Sequence, residues 1–190
     1  MTNTLSRHMR DRRGLNLIEL AIVMAVVGLI VGGIYIAASS VYRNVRESST
    51  QDDMLQIVQN MRSTYGVQGL VPSGALANTN LINAGIIPAD MIQGTALTNA
   101  FGGTSSLTGI TGPPAAFTIT ISNIPGSVCS DLAIKTTSSG QAGATNIGLI
   151  NIAMNGGAAV ANSAFPITPD SSQSNCGTGV GSVAFTYTIR

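Results

Sequence analysis

The sequence predicts an α+β fold in which one long N-terminal helix packs on a small antiparallel β-sheet. Three observations carry this reading. Helical periodicity runs from about Asn16 to about Tyr65. Strand signals appear only later: apolar and polar residues alternate over 117–121 and 183–189, and 146–154 is a branched apolar run. The helix therefore precedes the strands instead of alternating with them, an order that lays helix and sheet against each other as separate layers.

The first part of the helix, Leu20 to Val41, reads LAIVMAVVGLIVGGIYIAASSV and carries no charge. At ~1.5 Å per residue it spans roughly 33 Å, enough for a bilayer core of about 30 Å. Arg7, Arg10, Arg12 and Arg13 precede it, opposed by Asp11 alone. That asymmetry predicts a cytoplasmic N-terminus, with everything after Val41 outside the cytoplasm. Gly28-x-x-x-Gly32, with Gly33 beside it, has three readings: close helix approach, ordinary membrane-helix composition, or local unwinding.

The second part of the helix is amphipathic. Ile34, Ala38, Val41, Val45, Leu55, Val58, Met61 and Tyr65 recur near a spacing of three to four, with Arg43, Arg46, Glu47, Asp52 and Asp53 mostly between them. The charged set reads as a solvated face, in preference to a metal pair at Asp52-Asp53. Tyr65-Gly66 supplies the stop.

Glu19 stands inside the apolar run. A carboxylate in such a helix costs about 2.5–3.5 kcal/mol at mid-bilayer, and less near the interface. It either reaches lipid headgroups or awaits a cation. A cut between Gly14 and Leu15 creates that cation, the new α-amino group of Leu15. In apolar surroundings the low dielectric strengthens the attraction between this amine and Glu19 of a neighbouring copy. An ordinary secretory signal differs, because its cleavage site follows the apolar stretch. Ala37-Ala38-Ser39-Ser40 mimics one, but the run before it exceeds the usual length of about 7–15 residues.

The stretch Arg12-Arg13-Gly14-Leu15-Asn16-Leu17-Ile18-Glu19-Leu20 resembles the type III signal of type IV prepilins and the related pseudopilins. The resemblance implies that a prepilin peptidase cuts after Gly14 and N-methylates Leu15, and that Glu19 is the assembly glutamate at the fifth position of the mature chain. It implies a homo-polymer, a pilus filament, as the product. The peptidase and the assembly platform of the bacterial inner membrane are the implied partners. The precursor is then stored in that membrane and the finished subunit lies in an extracellular pilus. On this reading residues 1–14 are a leader, 15–41 the transmembrane and filament-core half of the helix, 42–66 its amphipathic half, and 67–190 a globular α+β head.

Beyond the helix, residues 66–115 are rich in Gly, Asn, Thr and Ala. They predict a short helix over about Ala75–Ala84, ended by Gly85 and Pro88, and a turn-rich loop at Asn99-Ala100-Phe101-Gly102-Gly103. A second short helix is expected from Ser127 to Lys135. Asp170 to Asn175 reads as a polar turn in preference to a calcium loop. In the last strand Val183, Phe185, Tyr187 and Ile189 share one face. There are two cysteines, Cys129 and Cys176. An even count in a translocated domain reads as one disulfide, with two buried thiols as the alternative. Neither belongs to a C-x-x-C pair, which argues against a redox or zinc site.

Ile86-Ile87-Pro88 followed by Asn99-Ala100-Phe101-Gly102-Gly103 is similar to the loop between helix and sheet in class b type IV pilins, the toxin-coregulated pilin among them. Val128-Cys129-Ser130-Asp131-Leu132 and Asn175-Cys176-Gly177-Thr178-Gly179 resemble that class's C-terminal disulfide region, which implies a Cys129–Cys176 bond.

Composition argues against catalysis. The only histidine is His8, which precedes the expected cut, and Lys135 is the only lysine. Ser-His and Cys-His nucleophile pairs are thereby excluded from the mature chain. No enzyme activity, cofactor or metal is expected. No basic patch with interleaved aromatics marks a dedicated nucleic-acid surface. Three functions fit: the major subunit of a type IV pilus, a minor pilin or type II secretion pseudopilin, and a membrane-anchored adhesin or binding protein that never polymerises.

Overall fold

The computed structural model describes residues 16–138 and 148–190, divided into two compact units after Arg43. Gly14 and Leu15, the expected cleavage site, lie outside the described residues, as do positions 146 and 147 of the expected middle strand.

Helix α1 runs from Leu17 to Tyr65, as its periodicity predicts. In the first unit it is the element described, and each of its described residues is exposed.

The second unit is a sheet covered by helices. In chain order its elements are the rest of α1, β1 (Gly74–Ala75), α2 (Asn78–Asn83), β2 (Ile92–Gln93), β3 (Ala96–Leu97) and β4 (Ser105–Ile110). Then come β5 (Ala116–Pro125), α3 (Gly126–Thr137), β6 (Leu149–Met154), β7 (Val160–Ala161), α4 (Pro169–Cys176) and β8 (Val180–Thr188). Six strands form one antiparallel sheet in the order β1-β4-β5-β8-β6-β7, while β2 and β3 form a small hairpin of their own.

The expected face of β8 is in place: Val183, Phe185, Tyr187 and Ile189 are all buried. Tyr187 stacks on Phe117 of β5 with ring centroids 5.9 Å apart. Cys129 and Cys176 are joined, so the disulfide ties α3 to the end of α4 and the free-thiol alternative falls away. Asn99 organises its loop: its Oδ1 accepts from the N–H of Phe101 (2.8 Å) and Gly103 (3.1 Å), and its Nδ2 donates to the Ser122 carbonyl (2.8 Å).

Several elements differ from expectation, among them β1, which takes Ala75 from the start of the expected short helix, and the strands β2, β3 and β7; β4 and α4 differ most. Strand β4 falls in the Gly-, Asn-, Thr- and Ala-rich stretch, where no strand is expected. Its alternation is present, with Ser105, Leu107 and Gly109 inward, but Ser and Gly carry little apolar signal. Gly109 is inward for a reason: a Cβ there would collide with the Pro72 carbonyl. Residues 170–175 form helix α4, not a turn. Its start follows the preference for Thr at the N-cap and Pro at the first helical position: the Thr168 hydroxyl accepts from the Ser171 N–H, and Pro169 follows.

The buried face of α1 is also rotated from the expected one. Met54, Ile57, Val58 and Met61 enter the core, whereas Leu55 is 41% exposed. Truncating Ile57, which is fully buried, leaves a cavity, and Ile57→Ala is expected to cost about 2–5 kcal/mol. Leu55→Ala should cost less than about 1 kcal/mol. Urea unfolding of both variants checks the assignment, and equal losses would contradict it.

Candidate functional site

The feature with no role inside the molecule is the surface of the first half of α1. Every residue from Asn16 to Arg46 is exposed, including Leu17, Ile22, Leu29, Ile34 and Ile36. Soluble monomers seldom leave so large a contiguous apolar surface to water. The helix is long and apolar enough to cross a membrane.

Glu19 is the only charged residue between 16 and 42. It lies in the first turn of α1, where the helix N-terminus favours a negative charge. Its backbone N–H donates to the Asn16 carbonyl at 2.9 Å. Among the described residues its carboxylate has no partner. It is thus an exposed carboxylate on an apolar cylinder, an arrangement that can bind a cation only from outside this chain or from residues beyond those described. Gly28 and Gly32 lie one turn apart on the same helix, and a Cβ at either would meet nothing within 4 Å. They leave shallow notches for a neighbouring surface.

Of the charged residues of the second half, Arg43, Arg46 and Asp52 are exposed as expected, but Glu47 and Asp53 are buried. Glu47 is 1% exposed, and the Lys135 ammonium of α3 donates to its Oε1 at 2.6 Å. The chain's only lysine is therefore engaged in holding α3 to α1. Arg62 donates from Nε and Nη2 to the Thr188 carbonyl, both at 3.2 Å, fixing the last strand to the helix. Asp53 is 8% exposed, and its carboxyl is hydrogen-bonded to that of Asp90. Asp52, Asp53 and Asp90 line a depression of about 410 Å³ together with Val45, Ser48 and Ser49. Burial first, then the charge and hydrogen bond of Asp90, then the charge of Asp52, push the Asp53 carboxyl up to about 7. Among the described residues no three of His, Cys, Asp and Glu converge on a point that could hold a metal ion. A sequence signal for this buried stripe existed. Glu47, Thr50, Asp53, Ile57 and Met61 follow one another at intervals of three or four, but the apolar pattern alone passes over its polar members.

The family described as PilS N terminal matches residues 44–189. No curated protein matches the chain. Among solved structures, the type IV pilin TcpA from Vibrio cholerae El Tor biotype is similar with a TM-score of 0.50 at 18% identity, over 76% of this chain and 99% of that one. The NMR structure of the type IVb pilin PilS from Salmonella typhi is similar with a TM-score of 0.49 at 24% identity, over 74% of this chain and 95% of that one. A crystal structure of a type IV b pilin from Salmonella typhi gives 0.48 at 22% identity, over 70% and 95%. The likeness to TcpA is one of fold.

Because the Asp53 carboxyl is raised from 3.8 to about 7 by folding, the fold binds its proton more tightly than the unfolded chain does. The contribution of Asp53 to stability is then complete below pH ~4 and is lost as pH rises through about 7. Asp53→Asn removes the titration while keeping a neutral hydrogen-bonding group. Urea midpoints measured from pH 4 to 8 should fall less steeply for Asp53→Asn than for the parent chain.

Proposed function

The chain belongs to the PilS N-terminal family of type IV pilins, and from that premise we propose that it is the major structural subunit of a pilus, assembled through the apolar half of α1. The observation that carries the proposal is the exposed, largely apolar surface from Asn16 to Tyr42, in which Glu19 is the only charged residue.

Prepilin peptidase cuts after Gly14 and methylates Leu15. Until then the precursor is held in the inner membrane by the same apolar stretch, with its N-terminal arginines in the cytoplasm. The cut removes Arg7, Arg10, Arg12 and Arg13 with the leader and leaves an amine at Leu15. The assembly platform then moves the subunit from lipid into the growing filament, where the helix exchanges lipid contacts for contacts with copies of itself. Inside that core the Leu15 amine of one subunit pairs with Glu19 of another. Two charges in apolar surroundings attract strongly only at close range and are expensive apart, so the pair selects one axial stagger. The unit from Asn44 onward, cross-linked by its disulfide, then forms the filament's outer surface.

Two outcomes test this. The N-terminal residue of protein from sheared fibres should be methylated Leu15. A mature start at Met1 would overturn the processing step and favour an anchored adhesin, and fibres lacking this chain as their main component would favour a minor pilin or pseudopilin. Glu19→Val should leave the amine unpaired in the core, a penalty of about 3–5 kcal/mol, and reduce filaments per cell at least roughly tenfold. Wild-type filament numbers by electron microscopy would contradict the pairing.

A further inference from the structure

Polar groups that the fold leaves unused converge at one end of α3. The helix starts at Gly126 after Pro125, and no side chain caps it. Proline has no side-chain acceptor to offer, so the positive end of the helix is left open. In its first turn the N–H of Gly126 donates to the Gly179 carbonyl at 2.7 Å. A depression of about 370 Å³ lies at this end, lined by Gly126, Ser127, Ser130, Gln173, Gly177 and Thr178.

Ser130 is the telling residue. It is 5% exposed and its Oγ has no hydrogen-bond partner. A helical Ser or Thr ordinarily returns its hydroxyl to the carbonyl four residues back. Thr136 and Thr137 of the same helix do so, to Leu132 (2.6 Å) and Ala133 (2.7 Å). Ser130 does not. Ser127 lies one turn earlier on the same face. Among the described residues the side chains of Ser127, Gln173 and Thr178 also make no hydrogen bond.

The frame around these groups is fixed. Cys129, next to Ser130, is bonded to Cys176, next to Gly177. A Cβ on Gly126 would strike the Gly177 carbonyl, and Gly177 itself has φ 68. Helix end and loop therefore meet at backbone contact and stay in place, so a ligand finds its donors already arranged.

We propose that this depression is an oxyanion-binding site for a carboxylate, sulfate or phosphate group, held by the N-terminus of α3 with Ser127, Ser130, Gln173 and Thr178 donating. The lining contains no acidic residue to repel an anion: Asp131 and Asp170 are not part of it. It contains no basic residue either, so recognition rests on directed N–H and O–H donors and favours an oxyanion over a halide. Ser130 belongs to this lining, and a bound oxyanion supplies the acceptor that its hydroxyl lacks.

The test is an amide NMR titration of the full chain in detergent micelles with its disulfide intact. Sodium sulfate is added against sodium chloride at matched ionic strength. The Ser127 and Val128 amides should shift saturably with sulfate, half-saturating on the order of millimolar concentration, and not with chloride. Ser130→Ala should weaken binding at least roughly threefold. Thr178→Val serves the same purpose if the amide spectrum shows that Ser130→Ala disturbs the fold. A second titration uses N-acetylneuraminate as the carboxylate. Tighter binding than sulfate assigns the site to acidic sugars, and equal or weaker binding assigns it to free inorganic anions. Shifts that never saturate, that appear equally with chloride, or that are the same in the parent chain and the folded variants would overturn the proposal.

Discussion

The globular unit depends on one contact surface: the face of α1 bearing Met54, Ile57, Val58 and Met61, set into the core made by the sheet. The sheet alone has an apolar side that must be covered, and a helix alone of this sequence would expose that face to water. Each supplies the other's missing neighbour. The polar contacts of α1 work around this apolar seam. Glu47 reaches Lys135 of α3, Asn60 donates to the Ile86 carbonyl at 3.0 Å, and Arg62 holds the Thr188 carbonyl. They do not drive burial, but a helix offset by one turn would break them and leave Glu47 buried without its cation, so they fix where along the seam the helix sits.

The same helix has the opposite relation to solvent before Arg43. There the residues are apolar on every side and exposed on every side. A backbone with all its hydrogen bonds inside the helix tolerates lipid, protein or a filament core equally well. That neutrality toward surroundings is what the proposed move of one segment from anchor to polymer core requires. Glu19 is the charged exception to that neutrality.

Legibility in the sequence followed the strength of the apolar signal. The extent of α1, the face of β8 and the paired cysteines were plain, because long periodic runs and rare residue types leave few alternatives. The resemblance at residues 12–20 offers what periodicity cannot, the proposed roles of Gly14, Leu15 and Glu19. Strand β4 was hidden because two of its inward residues, Ser105 and Gly109, carry little apolar signal. The buried stripe of α1 was misplaced by part of a turn because Glu47 and Asp53 are among its members. Pairing with Lys135 or Asp90 makes their burial tolerable, and such pairings belong to tertiary structure. Helix α4 is different: Thr168-Pro169 is a legible start signal, outweighed by the polarity of residues 170–175.

The sheet order has a bearing on biogenesis. Strand β8, residues 180–188, is made after the other strands yet lies in the middle, between β5 and β6. Until it arrives, β5 and β6 each present a bare edge, and the two halves of the sheet have nothing to hold them in register. The domain is therefore closed by a keystone delivered late, and it completes folding only once those residues are available to the sheet. A chain stalled or clipped before Val180 loses the centre of its sheet instead of fraying at a margin. Such a chain has no native state to mimic, which keeps incomplete subunits from passing as finished ones.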